Sequence, residues 1–233
     1  AGGVTVNHIA KWNSGSPGSW TPLDIGTNGG VFALAVYDDG TGPQLYAGGA
    51  FTTAGGISVN RIARWDGTHW SAVGSGVTGS PPVYLALVRS MAVYDHGAGP
   101  TLYVGGQFTS PGKNIARYNG VWNSLGTGAS QTVNTLAVFN DGTGEALYAG
   151  GLFTSAGGVV NARRIARWDG AQWSALGTGL DDYPANALAV FDDGTGKSLY
   201  VGGQFTHGSG AELRRIARWD GVNWSPLGAG ILD

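Results

Sequence analysis

The stretch RIARWDG occurs three times in this chain, at residues 61–67, 164–170 and 215–221. Each copy belongs to a longer unit of four pieces in fixed order, here called A, B, C and D. In the first full unit the pieces are ALAVYDDG (33–40), LYAGGAFT (45–52), IARW (62–65) and WSAVG (70–74). The unit returns after about 50 residues, a period typical of solenoids, propellers and arrays.

The pieces are not all present in equal number. A and B occur four times, whereas C and D occur five times. The chain therefore divides into a C–D half-unit, residues 1–32, followed by four A–B–C–D repeats at residues 33–89, 90–134, 135–186 and 187–233. We interpret residues 1–233 as one domain or as a segment of a larger one.

The composition favours a folded chain and excludes several classes of protein. Gly accounts for 43 of the 233 residues, but 42% of the residues are hydrophobic, which is too apolar for a disordered segment. Charged residues make up 12% and the formal net charge is −2, so nucleic acid is not an expected partner. No apolar run approaches the roughly 18 residues of a membrane helix, so membrane insertion is not expected. There is no Cys, which excludes disulfides and thiolate metal sites.

Each piece is predicted to be a β-strand. A, B and C are short runs of aliphatic and aromatic residues without 3.6-residue periodicity, bounded by Gly, Asp, Asn or Thr. The A–B link is DDGTG (38–42) or a variant of it, and the C–D link contains Asp-Gly or Asn-Gly, which accept the positive φ angles of tight hairpins. The predicted fold is all-β, with four short antiparallel strands per unit and no helix of consequence. Because A and B are apolar at successive positions, both of their faces are expected to be buried.

The unit resembles the kelch-type β-propeller repeat. B ends in a Gly-Gly doublet, C carries an aromatic residue followed by Asp or Asn, and a Trp follows a few residues later, as in Trp65 and Trp70. The pattern LY(A/V)GGxFT...IARWDGxxWxxLG is also similar to repeats of secreted bacterial propeller proteins and of fungal cortical polarity markers. The resemblance spans the whole chain and implies a β-propeller of four-stranded antiparallel blades. It implies no single function, since propellers serve as enzymes, lectins and scaffolds.

Residues that recur in equivalent positions are expected to serve the structure, because a stacking unit repeats its contacts. Three tryptophans are predicted to pack between blades: Trp65, Trp168 and Trp219. The equivalent cations are Arg64, Arg167 and Arg218, with Lys11 and Arg117 completing the set. These cations either form a functional ring or pair one by one with a nearby Asp or a strand-end carbonyl, and we favour the pairing.

The sequence contains no recognised catalytic, cofactor or metal motif. The four histidines stand at non-equivalent places in the unit, in no HxxxH or HExxH pattern: His8, His69, His96 and His207. No GxSxG, P-loop or dinucleotide fingerprint is present, so no cofactor is predicted. Carboxylates in the DDGTG turns are either calcium ligands or hairpin residues; their spacing matches no EF-hand, which favours the hairpin.

The repeats differ most in their B–C and D–A connections, which leave one face of an antiparallel blade, while the A–B and C–D turns leave the other. Variable loops on a rigid scaffold are usual binding sites, although drift in unconstrained loops explains the variation equally well. The largest insertion is apolar and lies between the first and second full repeats. We predict a ligand- or partner-binding surface at Tyr84, Leu85, Leu87, Asp181, Asp182 and Tyr183.

These observations favour a non-enzymatic binding module for protein or glycan. The composition, with three Lys and many Ser, Thr and Asn residues, favours an extracellular or cell-surface setting. The alternative is a structural repeat segment of a larger surface protein or assembly, and a loop-assembled enzyme site is third. The unmatched C–D half-unit leaves an open strand edge, and open edges invite pairing. We therefore expect an incomplete five-bladed ring, self-association or a fragment of a longer propeller in preference to a sealed monomer.

Overall fold

The computed structural model describes residues 2–79, 85–181 and 183–231, which form strands, turns and loops without any helix. The four full repeats form four four-stranded antiparallel sheets, and the half-unit forms a two-stranded hairpin. We number the sheets I to IV in chain order. Within each sheet the strand order is A, B, C, D.

The strand bounds follow the sequence pieces. The half-unit hairpin comprises β1 (Ala10–Asn13) and β2 (Ser19–Pro22). Sheet I comprises β3 (Val31–Asp38), β4 (Pro43–Gly49), β7 (Ile62–Trp65) and β8 (Trp70–Ala72). Sheet II comprises β9 (Leu87–Asp95), β10 (Pro100–Gln107), β11 (Ile115–Tyr118) and β12 (Trp122–Ser124). Sheet III comprises β13 (Val133–Asn140), β14 (Glu145–Gly151), β15 (Ile165–Trp168) and β16 (Trp173–Ala175). Sheet IV comprises β17 (Ala185–Asp192), β18 (Lys197–Gly203), β21 (Ile216–Trp219) and β22 (Trp224–Pro226).

Two B–C connections contain a small hairpin of their own. In sheet I it is β5 (Thr53–Ala54) with β6 (Ile57–Ser58), and in sheet IV it is β19 (His207–Gly208) with β20 (Ala211–Glu212). These hairpins were not predicted from the sequence, because two-residue strands carry no periodic signal.

The sheets pack face to face in chain order, with their A strands side by side. β3 contacts β9, β9 contacts β13, and β13 contacts β17. Between sheets I and II the core contains Tyr37 and Tyr46 from one side and Leu102 from the other. Tyr46 and Ala47 are successive residues of a B strand and are both fully buried, which confirms the prediction of two buried faces for B. For A the prediction is wrong in sheets I and IV, because among the described residues no neighbouring A strand covers the outer faces of β3 and β17, where Val36 is 65% and Phe191 59% exposed. The all-β prediction is also confirmed, and four-stranded antiparallel sheets packed in this way are compatible with a β-propeller.

The connections separate into two ends, as expected for antiparallel sheets. Each D–A connection forms a β-bridge with the B–C connection of the next sheet: Thr27 with Ala54, Thr78 with Ser110, Ala129 with Ala156, and Leu180 with Gly208. We call this end the loop face. The opposite end carries the A–B and C–D turns, and we call it the turn face.

Candidate functional site

A cluster of one aspartate, one tyrosine and one arginine recurs on the turn face. In sheet I, Asp39 Oδ2 accepts hydrogen bonds from the Tyr46 hydroxyl (3.2 Å) and from Arg64. The equivalent residues of sheet III are Asp141, Tyr148 and Arg167. In sheet IV the Tyr200 hydroxyl lies 3.0 Å from Asp193 Oδ2. The cluster ties the A–B turn to the B and C strands, so these arginines have a structural partner within their own sheet.

The cluster shifts the pKa of its acids and tyrosines. The hydrogen bond from the Thr41 hydroxyl, together with the charge of Arg64, lowers the pKa of Asp39. The Thr195 hydroxyl lowers the pKa of Asp193 to about 2. Burial raises the pKa of Tyr46 to about 12. A carboxylate whose pKa is lower in the folded chain stabilises the fold above the unfolded value of 3.8, and this stabilisation is lost as the pH falls through the folded value.

Sheet II departs from the pattern because His96 replaces the aspartate. Arg117 Nη1 lies 3.3 Å from His96 Nε2, so a neutral imidazole accepts one hydrogen bond from the guanidinium. Among the described residues, the buried Tyr103 hydroxyl and Arg117 Nε have no hydrogen-bond partner. A buried polar group without a partner destabilises a fold. In the other three sheets the equivalent tyrosine hydroxyl donates to an aspartate, so sheet II has a local deficit at Tyr103.

We expect His96→Asp to raise the free energy of unfolding by about 1 kcal/mol at pH 7, because a carboxylate here supplies an acceptor to Tyr103 and Arg117. The gain should disappear between about pH 4 and pH 2, the window set by the aspartate pKa in the unfolded chain and by that of Asp193 in the folded chain. Urea unfolding followed by tryptophan fluorescence at pH 7 and at pH 2.5 measures both quantities.

His96→Asn is the matched control, since it supplies an acceptor without a charge. The stability of His96→Asp relative to His96→Asn, and not relative to the wild type, is therefore the quantity that should fall between pH 7 and pH 2.5. An equal gain for the aspartate variant at both pH values, or a loss at pH 7, would contradict this account of the cluster.

On the loop face a second repeated contact joins neighbouring connections. Asn28 Oδ1 accepts hydrogen bonds from the backbone N–H groups of Thr52 and Thr53, at 2.7 and 2.9 Å. Asp181 Oδ2 does the same for Thr206 and His207, at 2.9 and 3.0 Å. Ser130 is the equivalent acceptor before sheet III. Asp181, predicted from the sequence to bind a ligand, thus holds the B–C connection of sheet IV in place.

Each A strand contains one β-bulge at its loop-face end. The pairing of A with B skips one residue in every sheet, and the four skipped residues are Phe32, Arg89, Asn134 and Asn186. The residue before the bulge is Val or Ala and the residue after it is Ala, Ser or Thr, whereas the skipped position holds the larger side chains Phe, Arg, Asn and Asn. Bulges are over-represented next to active sites because they re-aim a side chain.

The Gly-Gly doublet of the B strand accommodates this bulge. A Cβ on the second glycine would overlap a backbone carbonyl at the start of its A strand or of the residue just before it: Gly30 for Gly49, Leu87 for Gly106, Thr132 for Gly151, and Pro184 for Gly203. The doublet therefore permits the two backbones to approach closely, which only glycine allows.

The four bulge residues lie together in one cavity of about 560 Å³ that spans the four sheets. We call this cavity the channel mouth. Its other lining residues are Leu87, Leu152, Pro184 and Gln204. Asn134 Nδ2 donates to Asn186 Oδ1 at 3.0 Å and to the carbonyl of Ala185 at 3.3 Å, which links the bulges of sheets III and IV. The cavity volume is in the range of small-molecule sites, about 300 to 1,000 Å³.

The channel mouth combines one cation, several amides and an apolar wall. Arg89 is exposed, and no acidic residue in the described part of the chain forms an ion pair with it. Phe32 exposes more than half of its surface. A guanidinium and primary amides bind carboxylate, carbonyl and hydroxyl groups, while an exposed ring covers an apolar ligand face.

The residues predicted from the sequence to form a binding surface are only partly brought together. Leu87 lines the channel mouth, and Leu85 stands two residues before it with 80% of its surface exposed. Tyr183 is exposed and directly precedes the lining residue Pro184. Tyr84 and Asp182 lie outside the described residues. The sequence analysis missed the bulge residues. They are visible in the sequence, because each of them immediately precedes a piece A, so that an alignment of the four pieces extended by one residue places them at one variable position.

A second, smaller cleft of about 450 Å³ lies on the same face between sheets II and III. Its lining includes Lys113, Asn114, Gln131 and Thr132. Asn114 is occupied structurally, since its side chain accepts from Phe108 N–H at 3.2 Å and donates to the Ala129 carbonyl at 3.0 Å. The cleft therefore offers Lys113 as its cation, together with the amides of Gln107 and Gln131.

Comparison of the chain with protein-family models, with curated proteins and with solved structures gave no match. Within residues 2–79, 85–181 and 183–231, no group of three or more His, Cys, Asp or Glu side chains is placed to hold a metal ion. The same residues contain no helix of the length and apolarity needed to cross a membrane.

Proposed function

We propose that this chain is a non-enzymatic binding module built as a kelch-like β-propeller, four blades and a C–D half-blade, with its recognition site at the channel mouth. The observation that carries the proposal is the convergence of the four variable bulge residues in one cavity. The repeats share the strand pattern but differ in charge and size at the one position where their side chains meet. A ligand without internal symmetry needs a different side chain from each repeat. A variable position whose residues meet in one cavity provides this on a scaffold of similar repeats.

The ligand class that fits the channel mouth is a carboxylated glycan. Arg89 provides a cation for the carboxylate, and Asn134, Asn186 and Gln204 provide amide groups for hydroxyls. The exposed Phe32 ring provides a surface for the apolar face of a sugar. A glycan ligand accords with the extracellular or cell-surface setting proposed from composition.

The second candidate function is a purely structural repeat segment. It is favoured by the structural contacts of the repeated residues on both faces, such as the Asp39, Tyr46 and Arg64 cluster and the Asn28 acceptor. An enzyme is the third reading, and the eight residues lining the channel mouth include no carboxylate, imidazole or hydroxyl to act as acid, base or nucleophile.

A glycan array probed with the intact protein tests the proposal. We expect binding confined to glycans that carry a carboxylate, and Arg89→Ala should weaken it by about tenfold to a hundredfold, the range expected when a charge-assisted hydrogen bond is removed. Titration calorimetry with the best glycan measures the change.

Lys113→Ala is the matched control, because it removes a cation from the second cleft. Weaker binding by this variant with unchanged binding by Arg89→Ala moves the site to that cleft and ends the proposal for the channel mouth. Capture of acidic peptides in preference to glycans makes the ligand class wrong. The absence of binding to both glycans and acidic peptides favours the structural segment.

A further inference from the structure

The A–B turn of sheet II lacks two acceptors that the other turns provide. Sheets I, III and IV carry Asp-Gly-Thr in this turn, whereas sheet II carries His-Gly-Ala at residues 96–98. In sheet III Asp141 Oδ2 lies 2.9 Å from Arg167 Nε, and the Thr143 hydroxyl accepts a hydrogen bond from Arg167 Nη2 at 2.8 Å. At these positions sheet II offers the equivalent Arg117 neither a carboxylate nor a hydroxyl.

The remaining acid of the sheet II turn is already engaged. Asp95 Oδ1 accepts hydrogen bonds from the backbone N–H groups of Gly97 and Gly99, at 2.7 and 3.0 Å. Arg117 forms no ion pair within the described part of the chain. Its contact with His96 Nε2 engages one of the five N–H donors of a guanidinium. The charge of Arg117 is therefore not neutralised by an acid of its own turn.

Three buried donors meet between sheets II and III without an acceptor. They are the Tyr103 hydroxyl, Arg117 Nε and Trp168 Nε1, and none of them has a hydrogen-bond partner among the described residues. Tyr103 is fully buried, and Trp168 is 6% exposed. Burial raises the pKa of Tyr103, while the Arg117 guanidinium and the Trp168 indole N–H oppose that rise, because both stand beside the same hydroxyl. The three donors therefore converge on one place in the interface.

A carboxylate satisfies the equivalent donors elsewhere in this chain. In sheet III Asp141 Oδ2 accepts a hydrogen bond from the Tyr148 hydroxyl at 2.8 Å and faces Arg167. A carboxylate has two acceptor oxygens, and its charge neutralises that of a guanidinium. Ala98 has no side-chain atom beyond Cβ at the position where Thr143 contacts Arg167 in sheet III. Because the donors of sheet II are buried, an anion that reaches them must be small.

We propose that the turn face of sheet II binds a small free carboxylate, of the size of formate or acetate, among Tyr103, Arg117 and Trp168. The anion takes the place that an aspartate side chain takes in the other sheets. It accepts hydrogen bonds from the Tyr103 hydroxyl and the Trp168 indole N–H, and it pairs with the Arg117 guanidinium. This site lies at the opposite end of the sheets from the channel mouth and does not depend on a ligand there.

Sodium formate in a chloride-free buffer at pH 7 is the probe, and the indole N–H resonances of the intact isotope-labelled chain are the readout. We expect the Trp168 resonance to shift saturably with a Kd of about 1 to 10 mM, because so small an ion has few atoms to contribute affinity. The Trp122 resonance should not move, since its N–H already donates to the Val73 carbonyl at 2.9 Å. His96→Asp should raise the Kd at least about tenfold, because its own carboxylate fills the place.

Urea unfolding provides a second readout. Formate at about 100 mM should lower the equilibrium constant for unfolding of the wild-type chain by about tenfold to a hundredfold relative to the same concentration of sodium chloride, and it should not do so for His96→Asp. Ala98→Thr changes an exposed residue and should weaken formate binding about threefold to tenfold, because its hydroxyl accepts from Arg117 as the threonines of sheets III and IV accept from their arginines. Arg89→Ala, at the channel mouth, should leave the formate response unchanged.

Three outcomes overturn the proposal. The first is a Trp168 resonance that does not shift with formate in the wild-type chain. The second is an equal Kd for the wild type, His96→Asp and Ala98→Thr, which places the formate elsewhere. The third is the same saturable shift with sodium chloride at the same concentrations, which makes the carboxylate class wrong.

Discussion

Gly106→Ala is expected to lower the free energy of unfolding by about 3 kcal/mol or more, or to prevent folding. A Cβ at this position overlaps the carbonyl oxygen of Leu87, and the next atoms met, Leu87 C and Val88 Cα at 3.1 Å, are also backbone. No rotamer change relieves such a contact, so the A and B strands must separate where the bulge places Arg89. The expected loss comes from several ladder hydrogen bonds as well as from the overlap.

Gly202→Ala is the control for the Gly106 variant, because it adds the same methyl to the first glycine of the sheet IV doublet, where the nearest atom lies 3.9 Å away. Neither glycine has a positive φ angle, so the comparison isolates packing from backbone strain. Urea unfolding of both variants, followed by circular dichroism, should give a large loss for Gly106→Ala and a change within about 0.5 kcal/mol for Gly202→Ala. Equal midpoints would contradict the close approach of the two strands.

The fold was predictable because its signals are local and repeated. Each strand is a short apolar run, most turns carry Asp-Gly or Asn-Gly, and the same order returns along the chain. The structure places strands at all four pieces of each full repeat and pairs them in sequence order. Even the unmatched C–D half-unit was visible as a count of pieces, and it appears as the hairpin β1–β2.

The candidate site was less predictable because it depends on a register shift. Phe32, Arg89, Asn134 and Asn186 precede the apolar part of piece A, where a regular strand would alternate its side chains between the two neighbouring sheets. The bulge turns them to the channel mouth instead, and the reason for the bulge lies in the glycine doublet of another strand. Sequence reasoning looked for binding in the longest insertion, whereas the variable residues that meet in space are single positions in the repeat.

Residues that stabilise the fold were harder to distinguish from residues that bind a ligand. Asp181 is an acid in a variable loop, which favoured a binding role, yet its carboxylate holds Thr206 and His207 as Asn28 holds Thr52 and Thr53. The three acceptors Asn28, Ser130 and Asp181 differ in type but occupy one position of the unit. A comparison that allows Asn, Ser and Asp as equivalent acceptors would have indicated the shared task.

Trp168→Ala is expected to lower the free energy of unfolding by about 3 to 5 kcal/mol, the range for removal of a buried large side chain. Trp168 is 6% exposed and belongs to the core between sheets II and III, with Tyr103, Leu136 and Trp173. Its ring lies 5.4 Å from that of Trp173, centroid to centroid, so truncation removes a packed aromatic pair as well as buried area. The measurement is the urea concentration at which half of the protein is unfolded. Variants are compared when the free energy of unfolding depends on urea concentration with the same slope.

Two control variants separate packing from the loss of any tryptophan. Trp168→Tyr should cost less than half as much, because Tyr118 fills the same position of sheet II at 8% exposure. Trp12→Ala should also cost less than half as much: Trp12 is the same residue of the half-unit and keeps a similar ring contact with Trp20, at 5.2 Å, but half of its surface is exposed. If Trp12→Ala and Trp168→Ala shift the urea midpoint equally, burial between sheets is not what these tryptophans contribute. In that case the intersheet cores do not hold the repeats together.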